Sequence, residues 1–240
     1  MASSMNDFKI MINSSPRSGS AWLQSNLMNA MFEIIKNKDQ DFKENFLSRT
    51  HTPEMLLGMF PANILQTTII RNPLDIIPSI ITKTYGGLGS TVSLGINMPH
   101  EMKQIPEDDH FIDGQVKVAK KYLENTLKNF DNLHAFTFED VTQNMQFVVD
   151  TFVKELGLSH IELNSNEILM TRAKNNIETF NYGHPGYSNA VPVEEKPEVY
   201  YRIKEKVEKS KSVASLTDLY QSVLYEIKFK KDKQDKKWNI

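Results

Sequence analysis

The 240-residue sequence contains no cysteine. This absence excludes disulfides, thiolate metal sites and cysteine nucleophiles, and it fits a reducing compartment such as the cytoplasm. An excess of positive charge is also missing, since 28 Lys and Arg face 30 Asp and Glu, so no global field collects nucleic acid or anionic membrane. No window approaches the roughly 20 apolar residues of a membrane span, and residues 1–7 lack the apolar core of a signal peptide. We therefore expect a soluble cytoplasmic protein, without nucleic-acid or membrane partners, that holds any polyanion by a few local cations and backbone amides.

Short apolar runs alternate with amphipathic segments, which predicts one domain over residues 1–240. Predicted strands cover residues 8–13, 46–49, 65–70 and 134–138. Predicted helices cover about residues 19–36, from 72 to the glycines at 86–89, within 108–130, 142–156 and 197–229. This alternation indicates an α/β fold of three layers, a central parallel sheet flanked by helices. The predicted long loops are residues 85–107 and 177–196, and the lysine-rich residues 230–240 are predicted to be a flexible, solvated tail.

The loop after the first predicted strand has the composition of an anion site. It reads Ser-Pro-Arg-Ser-Gly-Ser-Ala-Trp over residues 15–22. Unpaired backbone amides at a helix start attract phosphates, and Arg17 adds a permanent positive charge. The G-x-x-x-x-G-K-[ST] spacing of a Walker A loop is absent. The alternative is an ordinary strand-to-helix turn with a solvated arginine.

A second polar segment, residues 71–79, follows the third predicted strand. At about 100° per residue, Asp75 and Ser79 fall on one helix face, and the isoleucines at 76, 77, 80 and 81 fall on the core face. Arg71 at the strand end and Ser79 two turns along the helix suit a second phosphate beside the first loop. The alternative is a capped helix in which Arg71 pairs with Asp75.

Together the two segments resemble the 5′-phosphosulfate loop and the 3′-phosphate motif of the PAPS-dependent sulfotransferases, where PAPS is 3′-phosphoadenosine 5′-phosphosulfate. The family loop P-K/R-S-G-[ST]-[ST]-W is similar to residues 16–22, and the family motif R-N-x-x-D-x-x-x-S is matched in full by residues 71–79. Between them, residues 49–53 (Arg-Thr-His-Thr-Pro) resemble the K-T-H-x-P segment of the cytosolic branch. Phe-Glu-Asp-Val from 138 and Leu-Gly-Leu from 156 resemble its Y-E-D-L and L-G-L patterns.

This resemblance implies a P-loop-like nucleotide-binding core and a sulfotransferase. Such an enzyme moves a sulfuryl group from PAPS to a hydroxyl or amine of a small-molecule or carbohydrate-like acceptor. The other product is adenosine 3′,5′-bisphosphate (PAP), and no metal is needed. His51 is then the general base. Arg17 would stabilise charge on the departing bridging oxygen, and Arg49 could face the sulfuryl oxygens. The resemblance implies donor contacts from Arg17, Ser18, Gly19, Ser20, Ala21, Trp22, Arg71 and Ser79. For Trp22, stacking on adenine and anchoring the first helix in the core remain alternatives.

The sequence also departs from the family pattern. Ala21 replaces a hydroxyl residue, and the late R-K-G segment of the cytosolic branch is not visible, so Arg172, Lys174 or a cation beyond Lys196 would have to substitute. Two rival functions stay open: a small-molecule kinase on a P-loop-like core, and a non-catalytic nucleotide-binding module. The missing Walker lysine argues against the first, and His51 argues against the second.

Overall fold

The computed structural model describes residues 9–24, 26–27, 47–58, 60–61, 64–83, 107–156 and 198–238. The predicted loop 177–196, all of loop 85–107 except residue 107, and residues 25 and 28–36 of the first predicted helix lie outside these residues.

The described strands form one sheet of four parallel strands. They are β1 (Lys9–Asn13), β2 (Leu47–Thr50), β3 (Ile64–Ile70) and β4 (His134–Thr137), in the order β2-β1-β3-β4. The chain leaves β1 towards β2 on one side and leaves β3 towards β4 on the other. The carboxyl ends of β1 and β3 therefore flank the switch point where α/β sheets bind ligands.

Helices follow the strands in the predicted alternation. They are α1 (20–24 and 26–27), α2 (Pro73–Lys83), α3 (Asp109–Lys128), α4 (Phe138–Gln143), α5 (Met145–Glu155), α6 (Glu198–Glu208) and α7 (Val213–Trp238), with 3-10 turns at Pro53–Leu57 and Phe130–Asn132. Local capping explains two of the starts. Asn72 Oδ1 accepts from Leu74 N at 3.0 Å before α2, and Asp108 Oδ1 accepts from Phe111 N at 2.8 Å at the start of α3.

Hydrophobic side chains cover both faces of the sheet. Because successive residues of a strand point to opposite faces, Ile69 packs in a core with α1 and α5, whereas Ile70 packs in a second core with α2, α3, α6 and α7. The three-layer α/β prediction is therefore confirmed for the described residues. Among the described helices, none has the combination of length and hydropathy that a membrane span requires.

Two predicted boundaries need correction. The single helix predicted over 142–156 is two helices, because the backbone of Asn144 leaves the helical region, with φ −134° and ψ 49°. The first of them begins early, at Phe138, because Thr137 and Asp140 form a capping box. Asp140 N donates to Thr137 Oγ1 at 3.1 Å, and Thr137 N donates to Asp140 Oδ2 at 2.8 Å. The helical stretch predicted over 197–229 is likewise divided, into α6 and α7.

The flexible tail predicted from residue 230 is also corrected at its start. Helix α7 continues through this position to Trp238. Lys231 Nζ pairs with Asp140 Oδ1 at 2.6 Å, and Lys230 Nζ donates to Leu133 O at 3.0 Å. The first lysines of the tail therefore hold α7 against the residues just before and just after β4, which composition alone did not reveal.

Candidate active site

The predicted anion loop is a tight turn followed by a helix start. Ser18 N donates to Ser15 O at 3.2 Å, with Pro16 second and Arg17 third in the turn. Arg17 has a φ of 64°, and no other described residue except glycine has a positive φ. Proline followed by a residue of positive φ is the pattern of a type II turn, where the third position usually holds glycine. Residues held in this strained region of backbone conformation cluster at active sites and ligand clamps.

The loop passes directly into α1. The first helical hydrogen bond runs from Leu23 N to Gly19 O at 2.9 Å, so the amides of residues 20–22 precede it at the positive end of the helix. Gly19 has a φ of 101°, and a side chain there would come within 3.1 Å of the Phe138 ring. Ser18 Oγ donates to Ser14 Oγ at 2.8 Å in the interior, which braces the loop from within.

Two arginines and a serine meet at this loop, as the motifs predicted. Arg71 Nη1 donates to Arg17 O at 3.0 Å, and Arg17 Nε donates to Ser79 Oγ at 3.4 Å. The Arg71 guanidinium lies 4.1 Å from the centroid of the Phe138 ring, which supports it from one side. Burial lowers the pKa of Arg17, and the neighbouring charge of Arg71 lowers it further. Both influences disfavour the charged form, so a bound anion would relieve them.

Asp75 is not the partner of Arg71, in contrast to the capped-helix alternative. Its Oδ1 accepts from Lys204 Nζ at 2.7 Å and from Tyr200 OH at 3.3 Å, both on α6. Burial, followed by the charge of Asp75, raises the pKa of Tyr200 to about 12. Lys204 is thus a late-chain cation beside the second motif, which the sequence interpretation anticipated only as a cation beyond Lys196. The other two candidates, Arg172 and Lys174, lie outside the described residues.

A signal in the sequence could have singled out Lys204. Tyr200, Ile203 and Val207 are the buried residues of α6, and their spacing defines its packed face. Lys204 lies four residues after Tyr200, and therefore beside it on that face.

His51 lies one residue beyond β2, at the same edge of the sheet as the loop. Its Nδ1 is 2.7 Å from Ser14 O. A carbonyl only accepts, so Nδ1 carries the proton and Nε2 keeps a free lone pair. Burial lowers the pKa of His51, the bond to Ser14 opposes that change, and the charge of Arg49 lowers it slightly more. The imidazole is therefore neutral near pH 7, with Nε2 able to accept a proton.

Arg49 and Trp22 differ in how well their positions suit the predicted roles. Arg49 is half-buried on β2, beside Ile12 in the register, and close enough to influence the pKa of His51.

Trp22 is only 4% exposed, packs in the core, and donates from Nε1 to Val141 O at 3.1 Å. This placement matches the core-anchor alternative and leaves no accessible face on which adenine could stack.

The described residues contain no group of three or more His, Asp or Glu side chains arranged to hold a metal ion.

No protein-family model matches the chain, and neither does any curated protein. Among solved structures, the chain is similar to the mouse sulfotransferase SULT7A1 complexed with PAP. The sequence identity is 14%, the TM-score is 0.48, and the similarity covers 91% of this chain and 89% of that chain.

Proposed function

We propose that the protein is a sulfotransferase that transfers a sulfuryl group from PAPS to a hydroxyl or amine acceptor, with His51 as general base. The observation that carries this proposal is the bond between His51 Nδ1 and Ser14 O. It ties a neutral base to the residue that precedes the anion loop. A base and an anion site on one rigid unit suit transfer of an anionic group to an acceptor that must lose a proton.

The donor would lie along the loop and the start of α2. The amides of residues 20–22 and the Arg17 guanidinium suit the 5′-phosphosulfate, whereas Arg71 and Ser79 suit the 3′-phosphate. Support comes from the electrostatics of the two arginines. Within the described part of the chain no carboxylate pairs with either of them, and their mutual repulsion would be relieved by a polyanion.

In the proposed reaction, Nε2 of His51 takes the proton of the acceptor hydroxyl or amine as that group bonds to sulfur. The bond from sulfur to the bridging phosphate oxygen breaks, and PAP leaves as an anion that needs no proton. Arg17 is permanently charged and cannot act as an acid, but it stabilises the charge that develops on the bridging oxygen. Arg49 would stabilise the sulfuryl oxygens.

Nucleotide titration tests the donor assignment. PAP at about 100 times its Kd should stabilise the fold by about 2.7 kcal/mol, or about 5–10 °C in Tm, and 5′-AMP at the same concentration should stabilise it less. Arg71→Ala should weaken PAP binding about 10- to 100-fold, because a charge-assisted hydrogen bond is lost. Lys120→Ala is the control, since that lysine pairs only with Glu124 on the surface of α3 among the described residues.

The rival functions predict other outcomes. Equal stabilisation by PAP and 5′-AMP would refute the 3′-phosphate assignment and leave a general nucleotide-binding module. A preference for ATP with Mg²⁺, together with activity that EDTA abolishes, would support the kinase.

A further inference from the structure

The last residue of β1 makes an unusual connection to the segment that carries His51. The side chain of Asn13 is fully buried, at 0% exposure. Its Nδ2 donates to Thr52 O at 2.8 Å, and its Oδ1 accepts from Thr52 N at 3.2 Å. One side-chain amide therefore satisfies both backbone groups of a single residue, and we refer to these two bonds as the Asn13 clip.

The clip extends the pairing of β1 with β2 beyond the end of the strands. The last backbone contact between the two segments is Ser14 N to Thr50 O at 3.4 Å. The amide of an asparagine is chemically a peptide group on a short arm, so at Thr52 it supplies the donor and acceptor that a further strand residue would have supplied.

His51 is consequently held on both sides and by its ring. Thr50 before it bonds to Ser14, Thr52 after it bonds to Asn13, and Nδ1 of the imidazole bonds to Ser14 O. A buried amide is costly unless it is hydrogen-bonded. Among the described residues, Thr52 is the hydrogen-bond partner of the Asn13 side chain, so this cost is offset only while the His51 segment stays in place.

We propose that Asn13 is the positioning residue for His51. By holding the backbone of Thr52, it keeps the imidazole where Nδ1 meets Ser14 O, and so keeps Nε2 unprotonated and turned away from that bond. The proposal rests on the proposed function, because it assigns Asn13 a role through the general base.

The principal test combines Asn13→Ala with His51→Ala. A misplacement of about 1 Å costs on the order of 100-fold in rate, so Asn13→Ala should slow single-turnover transfer by about 10- to 100-fold. PAP affinity should stay within about threefold, because the loop cations are retained. In the His51→Ala background, Asn13→Ala should cause no further loss, since both changes remove the same contribution. Equal losses in the two backgrounds would overturn the proposal.

A spectroscopic readout separates positioning from general stability. In the wild type, ¹⁵N shifts of the His51 imidazole should report the Nδ1-protonated tautomer, and Asn13→Ala should produce a mixture of tautomers. The matched control is Asn129→Ala. It removes the 2.6 Å hydrogen bond from Asn129 Nδ2 to Leu56 O, five residues after His51, and the hydrogen bond that Asn129 Oδ1 accepts from Asn132 Nδ2. That control should keep the tautomer and a transfer rate within about twofold. An unchanged tautomer in Asn13→Ala would overturn the proposal.

A measurement on the wild type covers the case in which Asn13→Ala does not fold. The Thr52 amide follows the end of β2, yet it should exchange with solvent as slowly as amides inside the strand, because the clip protects it. Rapid exchange would overturn the proposal. Failure of the proposed function gives a different result, because His51→Ala would then transfer at the wild-type rate. If His51→Ala is slow and Asn13→Ala transfers at the wild-type rate, only the role of Asn13 is rejected.

Discussion

Arg17 combines a backbone conformation that suits glycine with a charge that the donor would need. Its φ of 64° lies in the left-handed region, which costs a residue with a side chain about 1–2 kcal/mol. Burial and the charge of Arg71 disfavour its charged guanidinium as well. Among the described residues, the hydrogen bond that the Arg17 side chain makes in return is the one from Nε to Ser79 Oγ, at 3.4 Å. Arg17 therefore lowers the stability of the free protein.

Arg17→Gly should stabilise the free protein and remove donor binding. Glycine relieves the backbone strain, but its larger freedom in the unfolded chain costs about 0.5–1 kcal/mol, which leaves a net gain of about 1 kcal/mol. For a chain of this size, that gain corresponds to about 2–4 °C in Tm. Arg17→Ala is the matched control, because alanine also lacks the guanidinium but retains the left-handed strain.

The assay is thermal or urea unfolding of the three proteins with and without PAP. Without nucleotide, glycine should be more stable than alanine by about 1 kcal/mol. With PAP, the wild type should gain stability, and both variants should lose most of that gain. If Arg17→Gly were less stable than Arg17→Ala, the strain would not be in the backbone at this position, and the reasoning would be refuted.

Two further predictions concern the base and the second motif. The lowered pKa of His51 should place the acid limb of kcat/KM below the ordinary imidazole value of about 6.5, and a limb above that value would contradict the assignment. In the unfolded chain His51 has its ordinary pKa, so it binds a proton at a higher pH there than in the folded protein. The free energy of unfolding should therefore decrease as the pH falls below about 6.5. Lys204→Met should free the Asp75 carboxylate to compete for Arg71, so PAP should bind more weakly while 5′-AMP binds as before. The double variant that carries both Lys204→Met and Asp75→Asn should regain part of the PAP affinity in the same titration. No recovery would show that Lys204 acts on the nucleotide directly.

Local signals in the sequence sufficed for the layers of the fold and for bringing most of the candidate donor-binding residues to one place. The apolar runs predicted the four described strands, and Asn72 with Pro73 predicted the start of α2. The side chains of Arg17, Arg71 and Ser79 meet because parallel strands bring their carboxyl ends to one edge of the sheet. Each of these inferences needed only residues that are near one another in the chain, plus one topological rule.

The features that sequence reasoning missed depend on contacts between distant residues. Lys204 reaches Asp75 from α6, and Lys231 reaches Asp140 from α7. The composition of the lysine-rich tail predicted a solvated end, because nothing local indicates that a buried carboxylate lies opposite. The Asn13 clip is similar, since an asparagine at the end of a strand is ordinary until Thr52 is placed beside it.

The pair between Lys204 and Asp75 explains how a chain with a net charge of −2 keeps Arg71 available at the loop. Asp75 lies on the helix that Arg71 precedes, and an unpaired carboxylate there would compete for Arg71. Lys204 occupies that carboxylate at 2.7 Å, and so leaves the guanidinium of Arg71 to Phe138 and to the carbonyl of Arg17. Both of those partners are uncharged, and they orient Arg71 without cancelling its charge. Helix α6 therefore contributes to the site by pairing with Asp75, and the positive charge that remains on Arg71 is the charge an anionic donor would meet.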